Sequence, residues 1–230
     1  VKRFYTDVAI ESVESGHAIR LDGRGVKTPA RAPLAVPTPA LARAIAGEWE
    51  AQSEKIDPWS MPLTGLANAA IDKVAVDRDT FVNSTAAFGE TDLLCYRADG
   101  PDPLVERQAE QWDKLLAWAQ TRYDVTFVLA TGIVHRPQPP RTLERLHAAV
   151  AAYDAFRLVA LQPLVTISGS LVIALALAEG AIDAREGFDA AHLDELWQAE
   201  LWGEDWMATD ARDARRRDFE AAARFIALLA

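Results

Sequence analysis

Cysteine occurs once in these 230 residues, at Cys95. An internal disulfide is therefore impossible, and the composition suits a reducing compartment. Basic side chains are also in deficit: 24 Lys and Arg stand against 34 Asp and Glu, for a formal charge of −10 and a pI near 4.9. Nucleic-acid binders need a basic face to displace counterions, so that class is excluded. An anionic membrane surface is disfavoured for the same reason. No apolar run is long enough to cross a bilayer. The longest, residues 164–178, is interrupted by Thr166, Ser168 and Ser170 and reads as a buried core helix. Residues 1–10 carry two basic side chains but no long apolar segment, which fits neither a secretory signal nor an Arg- and Ser-rich transit peptide. Catalytic and cofactor motifs are missing too. There is no G-x-x-x-x-G-K-[ST] loop, no G-x-G-x-x-G after a strand and no G-x-S-x-G elbow. The histidines, at 17, 135, 147 and 192, lie at no metal-ligand spacing, so neither a zinc site nor any cofactor is expected.

What is present is half apolar and a quarter charged, enough for a large core in one or two domains. Residues 8–10 and 17–21 read as short strands, and Asp22-Gly23-Arg24-Gly25 as a hairpin signal. Pro29, Pro33 and Pro37 leave at most a short or edge strand at 34–36. Thr38-Pro39 opens a helix with Leu41, Ile45 and Trp49 on one face. Helical periodicity then dominates: 63–74, 77–88, 103–123, 143–153, 163–178, 189–202 and 204–229 are predicted helices, with a stray strand in 125–130. In the third helix Val105, Ala109, Trp112, Leu116, Ala119 and Tyr123 form one buried stripe. The predicted fold class is α+β: a small β-rich N-terminal part with one helix, residues 1–60, followed by a larger all-helical part, 61–230. An alternative boundary lies near 137.

Two segments invite a chemical reading. Cys95 lies near Arg97, which lowers a thiol pKa, so a cysteine-dependent enzyme with Asp92 and a remote histidine is one alternative. The other is a small buried hydrophobe among Leu93, Leu94 and Tyr96, with Asp92 and Arg97 pairing or capping helix ends. Asn68 and Asp72 share a helix face and either tie that helix to the N-terminal part or contact a ligand.

The densest segment is LDELWQAELWGEDWMA, residues 193–208. On a helical wheel Leu193, Leu196, Trp197 and Leu201 form a core-facing arc, with Glu200 inside it. A carboxylate there needs a partner, and Arg212, Arg215, Arg216 and Arg217 are candidates. Gly203 is a helix stop, and Glu204 and Asp205 suit the start of the next helix. Trp202 falls off the core arc, and neither it nor Trp206 is explained by core packing; exposed indoles beside acids make a contact surface. A general acidic binding module is therefore also open.

The blocks RFY (3–5), LDGRGVKTP (21–29), EWEAQ (48–52), IDPWSMPLTGLANAAID (56–72), TDLLCYRA (91–98), QAEQWDKLLAW (108–118) and LDELWQAELWGED (193–205) resemble, in order, the alpha-subunit chaperones of the F-type ATP synthase catalytic head, assembly factor two. The resemblance implies a non-enzymatic chaperone that binds the free alpha subunit, shields its beta-facing surface from aggregation and releases it during assembly. It implies the same α+β division. Its residue carry-over marks Glu200, Trp202, Glu204 and Asp205 as partner-binding, and Trp49, Asn68, Asp72 and Gly203 as structural or partner-binding. Trp206-Met207 departs from the family's more acidic continuation. A monomer without membrane insertion is expected, in a bacterial cytoplasm or, for a eukaryotic chain, the mitochondrial matrix.

Overall fold

The computed structural model describes residues 1–132, 134–203 and 206–230. Strands β1 (Val8–Val13) and β2 (Gly16–Leu21) form an antiparallel hairpin with Val13 opposite Gly16. Asp22 and Gly23, both at positive φ, turn the chain from β2 into β3 (Arg24–Gly25). Two-residue β4 (Ala35–Val36) also pairs with β2, as short as its flanking prolines require. Helix α1 (Pro39–Glu50) packs against this sheet. The Thr38 hydroxyl caps it, accepting from Leu41 N at 3.1 Å. Ile19, Leu34 and Val36 from the sheet side and Leu41, Ala42 and Ile45 from α1 are fully buried.

The remainder is helical: α2 (Pro62–Ala69), α3 (Arg78–Ala86), α4 (Asp102–Tyr123), α5 (Pro140–Ala151), α6 (Ala155–Ser168), α7 (Leu171–Ala178), α8 (Ala184–Ala191), α9 (Leu193–Trp202) and α10 (Trp206–Ala227). A small strand region followed by a mostly helical part is the predicted fold class. The helical part also holds one minimal parallel pair, β5 (Tyr96–Arg97) with β6 (Ala130–Thr131). Of the stray strand predicted at 125–130, only its last residue pairs.

Three helix predictions needed correction. The helix expected over 63–74 ends as α2 and continues as a π-helical turn, Ala70–Val74. The helix expected from 189 to 202 is two, α8 and α9, joined at His192. The run expected as one helix over 163–178 is two, because Gly169 turns to φ +67 and Ser170 caps the second, accepting from Ile173 N at 3.1 Å. Ser168-Gly169-Ser170 is thus a helix break. Periodicity does not register the break, because both halves are apolar.

Helix α7 (LVIALALA) is apolar all round and almost wholly buried, surrounded by α4, α6, α8 and α10. Its first amides need acceptors in a site without water. Asp92, itself fully buried, supplies one: its carboxylate accepts from Val172 N at 2.9 Å and from Leu94 N at 3.1 Å. The core is contiguous from Ile19 to Leu229. Polar ties cross between the N-terminal and helical parts: the Thr38 hydroxyl donates to Leu228 O, and Asp72 accepts from the Thr28 hydroxyl (2.6 Å) and from Ala30 N (2.9 Å).

Candidate protein-interaction surface

Helix α9 is held at one end and presented at the other. At its start Leu193 is buried and Asp194 accepts from the buried Gln108 amide at 2.8 Å. Glu195 accepts from Arg215 at 2.8 Å and lies 3.8 Å from the buried Arg212. Just before, His192 stacks on Phe188 with ring centroids 3.9 Å apart. Burial pushes its imidazole below the ordinary value. Arg216 caps the other face of this group, over the Phe188 ring and 3.0 Å from Asp189.

The second half of α9 leaves the core. Leu196 and Trp197 are half-buried, but Leu201 is 54% exposed, against the expectation that it completes the core arc. Glu200 is also exposed, so it carries no burial problem to solve. Its partner is Arg107 of α4, at 2.7 Å, and none of the predicted C-terminal arginines. Arg212, Arg215 and Arg216 are engaged with Glu195 and Asp189 instead. Nothing in the spacing of α4 singles out Arg107. Only the docking of α4 against α9 reveals it.

Trp202 is 76% exposed and meets Trp197 edge-to-face at 6.4 Å. Gly203 ends the helix at φ +84, a conformation a side chain would strain, and its N–H donates to Ala199 O. Glu204 and Asp205 lie outside the described residues. Trp206 and Met207, 73% and 62% exposed, open α10. Leu201, Trp202, Trp206 and Met207 thus set exposed apolar surface around one helix junction. Beside it a groove of about 540 Å³ runs between α4 and α8–α9, with Leu193, Leu196 and Ala199 in its lining and Arg107, Asp189 and Glu200 as its charges.

The other marked residues sit elsewhere. Trp49 lies in the last turn of α1; its carbonyl accepts from the Tyr5 hydroxyl at 2.7 Å, and the two rings meet edge-to-face at 5.7 Å. Asp72 is the tie to Thr28 and Ala30. Asn68, on α2, makes no corresponding link; its Oδ1 is buried and has no hydrogen-bond partner among the described residues. Glu48, which no sequence signal marks, caps α2 by accepting from Leu63 N and Thr64 N at 2.8 Å each.

The Cys95 alternative fails on geometry. The thiol is 1% exposed and pushed up to about 12, by burial first and then by the neighbouring Asp92 charge, with Arg97 opposing. Arg97 pairs with Asp113, not Asp92. Among the described residues no histidine is hydrogen-bonded to Cys95; His135 meets the Tyr96 hydroxyl and Glu90 instead. No described helix is long and apolar enough to cross a membrane.

The likenesses to known proteins agree with one another. The family model described as "ATP12 chaperone protein" matches residues 2–120. A mitochondrial protein of Schizosaccharomyces pombe, atp12, is 24% identical, over 94% of this chain and 79% of its own length. The crystal structure of Atp12 from Paracoccus denitrificans superposes with a TM-score of 0.95 at 44% identity, covering 99% of this chain and 97% of that one. The Atu1473 protein of Agrobacterium tumefaciens also superposes at 0.95, with 41% identity over all of this chain and 86% of that one. The chain belongs to the ATP12 chaperone family.

Proposed function

We propose that this chain is an assembly chaperone of the F-type ATP synthase: it binds the free alpha subunit of the catalytic head, shields the surface that later meets the beta subunit, and releases it as the head assembles. The reading rests on family membership, and one observation carries it to a site. Leu201, Trp202, Trp206 and Met207 are exposed together at the α9–α10 junction, beside Glu200. Nothing in folding calls for four exposed apolar side chains at one corner, whereas a contact surface does. Glu204 and Asp205 add acid there in the sequence, which would favour basic groups on the client. Holding a client needs no bond-making step, so the chain acts as a monomeric holdase without cofactor or catalysis. It does so in a bacterial cytoplasm or a mitochondrial matrix. Release is competitive: the beta subunit offers the client a larger interface, and mass action does the rest.

The test is light scattering of isolated alpha subunit, with and without the purified chain and with no nucleotide added. Suppression at near-equimolar ratio is expected. Charge reversal of Glu204 and Asp205 together should reduce it while the melting temperature holds. A fall in melting temperature would make those carboxylates helix-start residues, and unchanged aggregation with the intact chain would refute the reading.

A further inference from the structure

Strand β1 lies at the edge of its sheet, pairing with β2 on one side only. The register places Val8 opposite Leu21, Ile10 opposite Ile19 and Ser12 opposite His17. Ile19 turns its backbone away from β1: its carbonyl accepts from Val26 N at 2.9 Å and its N–H donates to Leu34 O. In an antiparallel ladder a residue opposite such a position also faces outward, because bonded and non-bonded pairs alternate. The Asp22 N to Asp7 O bond fixes the same alternation from the other end. Val8, Ile10 and Ser12 therefore direct their N–H and C=O groups at the free edge. None of these groups has a partner among the described residues.

Exposed edges are normally blunted by proline, lysine, a bulge or a covering element. Here VAIESV has neither Pro nor Lys and runs six residues in unbroken register. Its four central residues are exposed. Its one charge, Glu11, is paired with Arg20 on the neighbouring strand. A row of donors and acceptors on alternate residues recognises one chemistry, an extended backbone. A second copy of this chain is the poorer occupant: each copy carries −10, and Glu14 is exposed at the hairpin turn.

We propose that the β1 edge is a second docking site, which takes an extended segment of the client by strand addition. The proposal rests on the chaperone reading above. Strand addition suits a holdase because backbone pairing is nearly indifferent to side-chain identity, and an unassembled subunit has chain segments awaiting partners.

Amide hydrogen exchange by NMR, on the full chain with isolated alpha subunit, tests this directly. In the free chain Ala9, Glu11 and Val13 exchange slowly and Val8, Ile10 and Ser12 fast. In the complex the latter three should slow at least tenfold. Ile10→Pro deletes one outward N–H at a position where an edge strand tolerates proline, and should weaken the complex tenfold or more with an unchanged melting curve. If that variant loosens the hairpin, the exchange pattern of the unmodified chain decides alone. A complex in which the three amides stay fast overturns the edge proposal and leaves the chaperone reading standing. No complex at all overturns both. Protection of the same amides without client, in a dimer seen by sedimentation, overturns it in favour of self-pairing.

Discussion

Asp92→Asn sets two large effects against each other. The carboxyl is fully buried, which favours its neutral form, yet it accepts backbone N–H bonds from Leu94 and Val172, which favour the anion. Burial wins, lifting the group from an ordinary 3.8 to about 6. An acid whose folded pKa is raised gives stability that is fully present below its unfolded pKa and lost as pH rises through the folded one. A rise of that size corresponds to about 3 kcal/mol in total. Integrating between those two values, about 1 kcal/mol is lost from pH 5.5 to 7.5, and about 2 from pH 4.5 to 7.5. Asparagine does not titrate, so the difference between wild type and Asp92→Asn isolates this contribution from every other carboxylate. Asparagine also replaces one of the two accepting oxygens with an NH2, leaving one backbone N–H without its acceptor at a cost of about 1–3 kcal/mol. The variant should be less stable throughout, and its deficit should shrink by about 1 kcal/mol between pH 5.5 and 7.5. Urea unfolding at constant ionic strength measures it. A deficit that grows with pH would mean that hydrogen bonding outweighs desolvation at this site, and would refute burial as the dominant influence on Asp92.

Three further outcomes follow from individual side chains. Cys95 should resist a thiol reagent in the native chain and react on unfolding, and Cys95→Ser should keep full suppression of client aggregation; fast native labelling would contradict its burial. Asp72→Ala strands the Thr28 hydroxyl and Ala30 N, so urea unfolding should show a loss of about 1–2 kcal/mol while client binding per folded molecule is unchanged. Trp202→Ala removes a mostly exposed indole, so stability should move by no more than about 0.5 kcal/mol while client binding weakens by about 2 kcal/mol, measured by calorimetry. Equal losses in both would make Trp202 a packing residue.

Sequence periodicity located most helices that have one wet face, though it merged α8 with α9 and missed the start of α8. The stripe on α4 and the Thr38-Pro39 start of α1 are the clear cases, since alternation with solvent creates the signal. It failed where the chain is apolar all round. The second half of α6 and the whole of α7 read as one helix over 163–178, and only the positive φ at Gly169 separates them; residues 155–162 of α6 went unpredicted. The candidate surface was half legible. The indole at 202, off the core arc, announces exposure, and the wheel placed it correctly; Trp206, equally exposed, lies in the next helix, beyond the wheel. The wheel misplaced Glu200 and Leu201, because a helical wheel assumes that a helix lies on its core along its whole length. Helix α9 docks at Leu193, Asp194 and Glu195 and then departs. Long-range partners such as Arg107 for Glu200, or Glu48 for Leu63 and Thr64, depend on which elements meet and have no local signature.

On the chaperone reading, the same corner that makes the chain adhesive also limits how tightly it holds. Burying an exposed indole gains roughly 25 cal/mol per Å² of apolar area, so Trp202, Trp206, Leu201 and Met207 offer several kcal/mol in gross terms. Association entropy and side-chain ordering take back most of a gain that size. Glu200 adds little, because Arg107 already neutralises it; a client cation must displace that guanidinium and gains only the difference between two exposed ion pairs. A patch of four apolar side chains next to a satisfied carboxylate thus has a ceiling on affinity that a full subunit interface, several times larger, exceeds. Displacement then needs neither nucleotide hydrolysis nor a conformational switch in this chain. Strengthening the corner, for instance by replacing Glu200 with an apolar residue, would be expected to slow release more than it speeds capture, since changes within one interface act mainly on dissociation.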